Sequence, residues 1–416
     1  MPHTLSTLSL KPLFAALFAA PLLLAGCTQL PLKPTSNNAV STTGTSTCTP
    51  CKDAEPPKPA EPPLQAAQYS DLPNWSGDDL LPSFQAFVSQ CTSLQRQALW
   101  RNTCSSARSL AESNPDSNAL RTWFEVQLRP WQLVNPDGAR DGLVTGYYEP
   151  ILQGSRTRSA TFNTPVFGVP DDLIVVDLGD LYPELKHMRL RGRLEGRKLI
   201  PYYARADWAQ QESRRKPLLW VDDPIDFFFM QIQGSGQIEL EDGSRTRLNY
   251  ADQNGHPYRS IGRWLIDKGE LKAEQASMQG IKQWARANPK RLQELLNTNP
   301  SVVFFRELKA EGSGPQGAMG LPLTPERSIA IDPRHTPLGS PVWLSTTLPN
   351  SEQTLQRLML AQDTGGAIRG PVRADFYWGS GTAAGNQAGK MKQSGRMWVL
   401  LPREHTPAGA KTAPQN

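Results

Sequence analysis

The sequence predicts a mainly β fold with some helices, and three observations carry the prediction. From Leu143 onward the apolar residues come in short runs punctuated by Gly, Pro and Asp-Gly, the pattern of strands and turns. Helical spacing is confined to two stretches, 79–134 and 261–296. With 38% hydrophobic and 20% charged residues, a chain of 416 can build a real core, and at roughly 100–200 residues per domain it has room for two or three. In order, 79–134 reads as helices because Phe84, Phe87 and Val88, then Trp123, Phe124 and Val126, recur at helical intervals. The runs Ile174–Val176, Leu218–Val221 and Ile225–Ile232 read as strands. One helical stretch interrupts, carrying Trp264, Leu265, Ile281, Trp284, Leu292 and Leu295 on period. Strands resume at Ser328–Ile331, Pro341–Leu344, Leu358–Ala361, Arg373–Tyr377 and Met397–Leu401. There is no internal repeat, and barrels are favoured over a doubly wound parallel sheet.

The N-terminus reads as an address. Lys11 precedes an apolar stretch from Pro12 to Leu24, shorter than the roughly 18–20 residues that span a bilayer. It ends in Leu24-Ala25-Gly26-Cys27, which resembles the bacterial lipoprotein box; 1–26 is then a signal peptide and Cys27 the lipidated residue. An ordinary signal peptide with an incidental Cys is the alternative. Thr28 in place of Asp favours, by the same resemblance, the outer membrane, with the chain lipid-anchored and facing the periplasm. Lipidation at two sites would make that anchoring stable. Residues 28–66 hold eight Pro among Ser, Thr, Asn and Lys, too little apolar surface to offset ordering entropy, so 27–66 is expected to be an extended linker. Within it, Cys48-Thr49-Pro50-Cys51 has redox spacing but no strand and helix around it, and a labile linker disulfide is the better reading. Cys91 and Cys104 are expected to pair as a structural disulfide in an oxidising compartment. The fold should cover about 67–403, leaving 404–416 as a tail.

Most chemistries are excluded by what is missing. A formal charge of +5, without basic stripes interleaved with aromatics, argues against a nucleic-acid partner. The five His and five Cys form no HExxH or paired CxxC spacing, and there is no GxGxxG or P-loop, so neither metal nor cofactor is expected. Gly234-Ser235-Gly236 and Gly379-Ser380-Gly381 lack the spacing of a nucleophile elbow. Of His187, His256 and His335, His256 sits in the turn Asn254-Gly255-His256-Pro257, where a structural role is the simpler one. Carboxylates remain. Asp332, Asp363 and Asp375 close or follow the apolar segments Ser328–Ile331, Leu358–Gln362 and Arg373–Ala374. Partial desolvation at such positions raises a carboxyl pKa and suits it to acid work, and a neighbouring carboxylate raises it further. Asp332 before Pro333 and Asp363 before Thr364-Gly365-Gly366 could equally cap turns. Asp363-Thr364-Gly365 also has the form of an aspartic protease motif, but the chain holds no second copy to share the proton.

At this point the chain meets a resemblance. Gly146-Tyr147-Tyr148-Glu149-Pro150, Gln233-Gly234-Ser235-Gly236, Asn254–Gly262, Asn299–Phe305, Asp363–Ile368 and the Asp375 segment are similar, in order, to the membrane-bound lytic murein transglycosylase A family. The resemblance implies a double-psi β-barrel built from 67–152 plus 325–403, with a smaller β domain, 153–324, inserted and a glycan groove along the junction. It implies cleavage of the β-1,4 bond between N-acetylmuramic acid and N-acetylglucosamine in peptidoglycan, with 1,6-anhydromuramyl ends as product. Asp375 matches the family's catalytic acid, with Asp363 and Asp332 as supporting carboxylates; Glu149 stands where smaller residues are usual. Tyr147, Tyr148, Tyr258, Tyr377 and Trp378 are candidate stacking platforms for sugars, or core residues. Gln233, Gly234, Ser235 and Arg259 are candidate polar or close-approach contacts. Glycan strands, and the outer membrane through Cys27, are the implied partners, and a cell-wall synthase complex is compatible with a tethered enzyme. A glycan-binding lipoprotein without activity, or a hydrolytic muramidase, remains the alternative.

Overall fold

The computed structural model describes residues 63–185, 188, 190–309 and 314–411. The expected signal peptide, Cys27, the expected linker up to 62, Cys48, Cys51 and His187 lie outside the described residues, as do the last five positions. The fold starts earlier than 67: β1 (Leu64–Ala66) pairs antiparallel with β2 (Leu128–Leu133). The tail is tied in as far as Lys411, whose backbone exchanges hydrogen bonds with Leu64 and Ala66. No helix among the described residues is long and apolar enough to cross a membrane.

Helices α1 (Leu81–Leu94), α2 (Arg101–Ala111) and α3 (Ser117–Gln127) occupy most of the first predicted helical stretch, whose last residues instead form β2. Asp116 opens α3 by accepting the Ala119 N–H at 2.8 Å. Phe84, Trp123 and Phe124 interlock edge to face, Phe87 lies tilted against Trp123, and all four are buried. A disulfide joins Cys91 in α1 to Cys104 in α2; closing a separation of 13 residues, it adds about 3 kcal/mol on the chain-entropy account. The layer docks through Ser83 Oγ, which donates to the Leu358 carbonyl at 2.5 Å, and Gln90 Nε2, which donates to the Gly339 carbonyl at 2.6 Å.

After β3 (Gly142–Glu149) a long excursion begins. It runs through β4 (Ile151–Ser155), β5 (Thr164–Val166), β6 (Ile174–Val176), β7 (Leu190–Glu195), β8 (Lys198–Pro201), α4 (Arg205–Trp208) and β9 (Leu219–Val221). It continues through α5 (Pro224–Gln233), β10 (Ser235–Leu240), β11 (Arg245–Gln253), α6 (Ile261–Asp267), α7 (Met278–Ala287), α8 (Leu292–Asn297) and β12 (Val303–Lys309). Six strands form one sheet in the order β12-β11-β10-β4-β9-β5, and β6-β7-β8 form a small second sheet. The run Ile225–Ile232, expected as a strand, is helix α5. Asp223 caps it, its Oδ1 accepting from Ile225 N and Asp226 N at 2.9 and 3.2 Å, Pro224 takes the first turn, and Gly234 ends it at φ 82°. An apolar run of that length fits a helix buried on two sides as well as a strand. Here Phe227 and Met230 pack on the sheet, while Ile225, Phe228 and Phe229 pack on α6–α8. The stretch 261–296 is likewise three helices, broken at Gly269 (φ 72°), restarted by the Ser277 cap and broken again before Pro289.

The chain then returns with β13 (Ser328–Ile331), β14 (Pro341–Thr347), β15 (Thr354–Thr364), β16 (Arg373–Ser380), α9 (Gly381–Ala388) and β17 (Lys392–Pro402). In the order β17-β14-β15-β13-β16-β3, with β17 pairing β3 again, six strands close into a barrel to which β2 and β1 attach. The expected fold class, mainly β with some helices and a sheet inserted between barrel strands, holds. Val144, Ile329, Ala374, Phe376 and Met359 fill the core on one face of these strands, so the alternate residues face the other way.

Candidate active site

Alternation places Thr145 and Tyr147 of β3, and Asp375 and Tyr377 of β16, on the face opposite the core. The two strands run parallel with Asp375 directly across from Thr145 and Tyr377 across from Tyr147. Ala330 of β13 is the register partner of Asp375 on one side and of Asp363 on the other. The two carboxyl-bearing strands therefore flank a single small residue. The neighbouring side chains are Tyr147, Tyr377, Leu323 and Ile368, an apolar cup closed by the loop before β13. Asp375 is not at a strand end, as the sequence suggested, but the third residue of β16.

Each polar group in the cup has a defined partner. Thr145 Oγ1 donates to Asp375 Oδ1 at 2.6 Å. Arg373 Nη2 donates to the same Thr145 oxygen at 2.9 Å. Asp363 Oδ1 accepts the backbone N–H groups of Ala318 at 3.0 Å and Thr364 at 2.9 Å, and Tyr147 OH donates to Oδ2 at 3.1 Å. Burial pushes Asp363 up to about 6, opposed by those three donors and reinforced by the Asp375 charge. Burial also raises Asp375, against the pull of Thr145 and Arg373. Tyr147 is raised well above an ordinary phenol by burial and then by the two carboxylates. Both aspartates are thus biased toward the protonated acid.

Asp332 has a different setting. Its oxygens accept from Arg334, from the Arg334 backbone N–H and from the Gly370 N–H at 2.9 Å. Burial alone would raise it, but the guanidinium and these donors hold it well below the usual carboxylate range. It stays ionised and braces the turn after β13, and among the described residues no hydrogen bond joins it to Asp363 or Asp375.

The polar face of the inserted sheet meets the barrel beside the cup. Buried Glu149, at the end of β3, accepts from Arg247 Nε at 2.6 Å, Gln237 Nε2 at 2.8 Å and Ser380 Oγ at 2.7 Å. Asn249 Nδ2 donates to the Gln316 carbonyl at 3.1 Å, two residues before Ala318. Gln233 Oε1 accepts the Tyr148 N–H at 3.1 Å, Gly234 caps α5, and Ser235 is buried opposite Asn249. Tyr148 is buried with Ala384 and Ala388, and Tyr377 is buried against Tyr147. Half-buried Trp378 lies on Phe376 with its N–H toward Met391 Sδ. Of the candidate platforms only Tyr258, 49% accessible, is open, and exposed Arg259 follows it. Asn299 Oδ1 fixes the Arg259 backbone by accepting its N–H at 3.1 Å. His256 is structural, its Nε2 lying 2.7 Å from the Tyr202 carbonyl.

Sequence reasoning missed Thr145 and Arg373. The available signal was period two: each lies two residues before a residue already singled out, Tyr147 and Asp375. Among the described residues no group of three or more His, Cys, Asp or Glu is placed to hold a metal.

Comparison with known proteins gives a consistent picture. The model of the MltA specific insert domain matches residues 143–306, and that of the 3D domain matches 327–401. Membrane-bound lytic murein transglycosylase A of Escherichia coli K12 is 35% identical over 301 residues, 68% of this chain and 74% of that protein. The crystal structure of MltA from Neisseria gonorrhoeae superposes with a TM-score of 0.73 at 38% identity, covering 85% of this chain and 99% of that one. The lytic transglycosylase LtgG of Burkholderia pseudomallei is 46% identical with a TM-score of 0.58, covering 83% and 97%. A structure of E. coli MltA with bound chitohexaose matches at 28% identity and TM-score 0.63, covering 87% and 99%.

Proposed function

This chain belongs to the membrane-bound lytic murein transglycosylase A family, and from that premise we propose that it is a lytic transglycosylase that cuts the β-1,4 bond after N-acetylmuramic acid in peptidoglycan and leaves 1,6-anhydromuramyl ends. The observation that carries this reading is the barrel face: a half-buried, protonation-biased Asp375 flanked across Ala330 by a second carboxyl whose oxygens are already engaged.

In the first half of the reaction Asp375 gives its proton to the departing glycosidic oxygen as C1 acquires oxocarbenium character. The C6 hydroxyl of the same sugar then attacks C1, and its proton goes to the Asp375 carboxylate. One C–O bond breaks, one forms, the acid is regenerated, and no water is consumed. The attack is intramolecular, so proximity supplies part of the rate. A single acid/base suffices, because Asp363 is occupied by Ala318, Thr364 and Tyr147 and is poorly placed to activate water. Asp363 shapes the charge around Asp375, and Asp332 supports the turn that follows β13.

The chitohexaose bound to the E. coli relative supports a glycan strand as ligand. Tyr258 and Arg259 are the exposed contacts we assign to it, Arg259 toward carboxylates of the muramyl side chain. Gln233, Gly234, Ser235, Tyr148, Tyr377 and Trp378 shape the site from behind. We further propose a barrel domain that takes in β1–β3 and β13–β17 with the chain as far as Lys411, an insertion of 150–324, and anchoring at Cys27 to the outer membrane, facing the periplasm. A cell-wall synthase complex is a fitting partner for an enzyme so tethered.

Mass spectrometry of soluble fragments released from intact peptidoglycan tests the proposal. Disaccharide-peptides one water lighter than hydrolysis products are expected; full-mass reducing ends would make it a muramidase, and no fragments from folded protein would make it a binder.

A further inference from the structure

We propose that Arg373 is a positioning residue which, through the Thr145 hydroxyl, fixes the oxygen of Asp375 that carries the catalytic proton. The inference rests on the reading of Asp375 as the acid. A guanidinium has only donors, so the 2.9 Å contact from Arg373 Nη2 must use a lone pair on Thr145 Oγ1. The only acceptor that this hydroxyl meets among the described residues is Asp375 Oδ1, at 2.6 Å. Its hydrogen therefore points at Oδ1, and the acid hydrogen belongs on Oδ2. The same oxygen recovers a proton from the C6 hydroxyl in the second half of the reaction, while Oδ1 keeps the Thr145 hydrogen bond throughout. Without Arg373 the hydroxyl could turn and accept from a protonated Oδ1, which would bury the acid hydrogen in the relay and away from the substrate.

Arg373 is itself held for this task. Its Nη1 donates to the Ala374 carbonyl and, at 3.3 Å, to that of Leu143, so the guanidinium bridges β16 and β3 beside their Asp375–Thr145 register pair. The charged and titratable groups that face Asp375 are few. Arg373 shares its strand, Asp363 comes from β15 and Tyr147 from β3. Exposed Lys392 of β17 is the register partner of Thr145 on its other side. β13 presents Ala330, and α9 carries no charge. Arg373 is thus the fixed cation next to the acid, and it favours the ionised carboxylate.

The test compares Thr145→Val, Thr145→Ser, Arg373→Met, Arg373→Lys and Asp375→Asn in the full chain. It follows release of anhydro-ended fragments against pH and monitors folding by thermal melts. Thr145→Val should lose about tenfold in kcat with KM unchanged, the order expected when one hydrogen bond that orients the acid is removed, and Thr145→Ser should restore it. Arg373→Met should lower kcat and move the alkaline limb of its pH profile upward, because an acid relieved of a neighbouring cation stays protonated to higher pH; Arg373→Lys should move the limb back. A serine no better than valine, or an Arg373→Met enzyme with wild-type kcat and limb, overturns the relay. If Arg373→Met does not fold, the Thr145 pair decides alone. An active Asp375→Asn would instead overturn the reading on which the relay rests.

Discussion

Two clusters of polar side chains carry most of the recognisable motifs, and they are built on opposite terms. In the inserted region, Asn254 uses all its capacity. Nδ2 donates to the Tyr203 and Pro300 carbonyls at 2.9 and 2.8 Å, and Oδ1 accepts from His256 N and Val302 N at 3.3 and 3.0 Å. Asn299 Oδ1 takes the Arg259 and Ser301 N–H groups, and Arg205 donates to the Asn299 and Ser301 carbonyls. These groups stitch three chain segments together. On the barrel face, by contrast, Asp375 has, among the described residues, one side-chain hydrogen-bond partner for two oxygens and is raised by burial. A saturated amide does structural work; a half-buried acid whose second oxygen meets no donor among the described residues can act on something that arrives from outside.

Substitution should sharpen that contrast. Asp375→Asn is expected to cost on the order of 10²–10⁴ in turnover with little change in the melt, measured by fragment release beside calorimetry. Glu149→Ala leaves Arg247 buried without its carboxylate and should cost about 3–5 kcal/mol in urea unfolding, because the pair joins the barrel to the inserted sheet. Asn254→Ala should cost about 1–3 kcal/mol and leave kcat of the folded fraction unchanged. A collapse of kcat at intact stability would break the comparison, since it would give the junction a chemical role. The last effect depends on pH and concerns Asp363. Its folded pKa of about 6 exceeds the ordinary 3.8, so the folded state binds its proton more tightly, and stability falls as pH rises from about 4 to about 6. Asp363→Asn should flatten that window and be the more stable protein at pH 7, with the difference gone below pH 4.

Strands that alternate or end in turn residues were readable in the sequence, and so were the three aspartates. Ile225–Ile232 was not, because an apolar run packed on two sides has no period to betray it; its Asp223-Pro224 start and Gly234 stop were the better evidence. The Tyr residues were visible as aromatics, but whether each faced sugar or core depended on neighbours such as Ala384 and Ala388, far along the chain. Asp332 shared the strand-end pattern of its fellows and differs only through Arg334 and Gly370, a local turn that a strand pattern does not describe. Thr145 was hidden for a topological reason, since it lies 230 positions from the Asp375 it meets, whereas Arg373 was within reach of the period-two pattern.

That separation bears on when the enzyme can exist at all. β3 waits for β16 across the whole insertion, and the barrel closes only when β17 pairs with both β3 and β14. Lengthening a loop adds little to its closure entropy, but contacts this distant in sequence slow folding. A chain that has not yet delivered Lys392–Pro402 has no closed barrel behind Asp375. Until that last strand is added, the two faces that meet at Asp375 are held by the β3–β16 pairing alone.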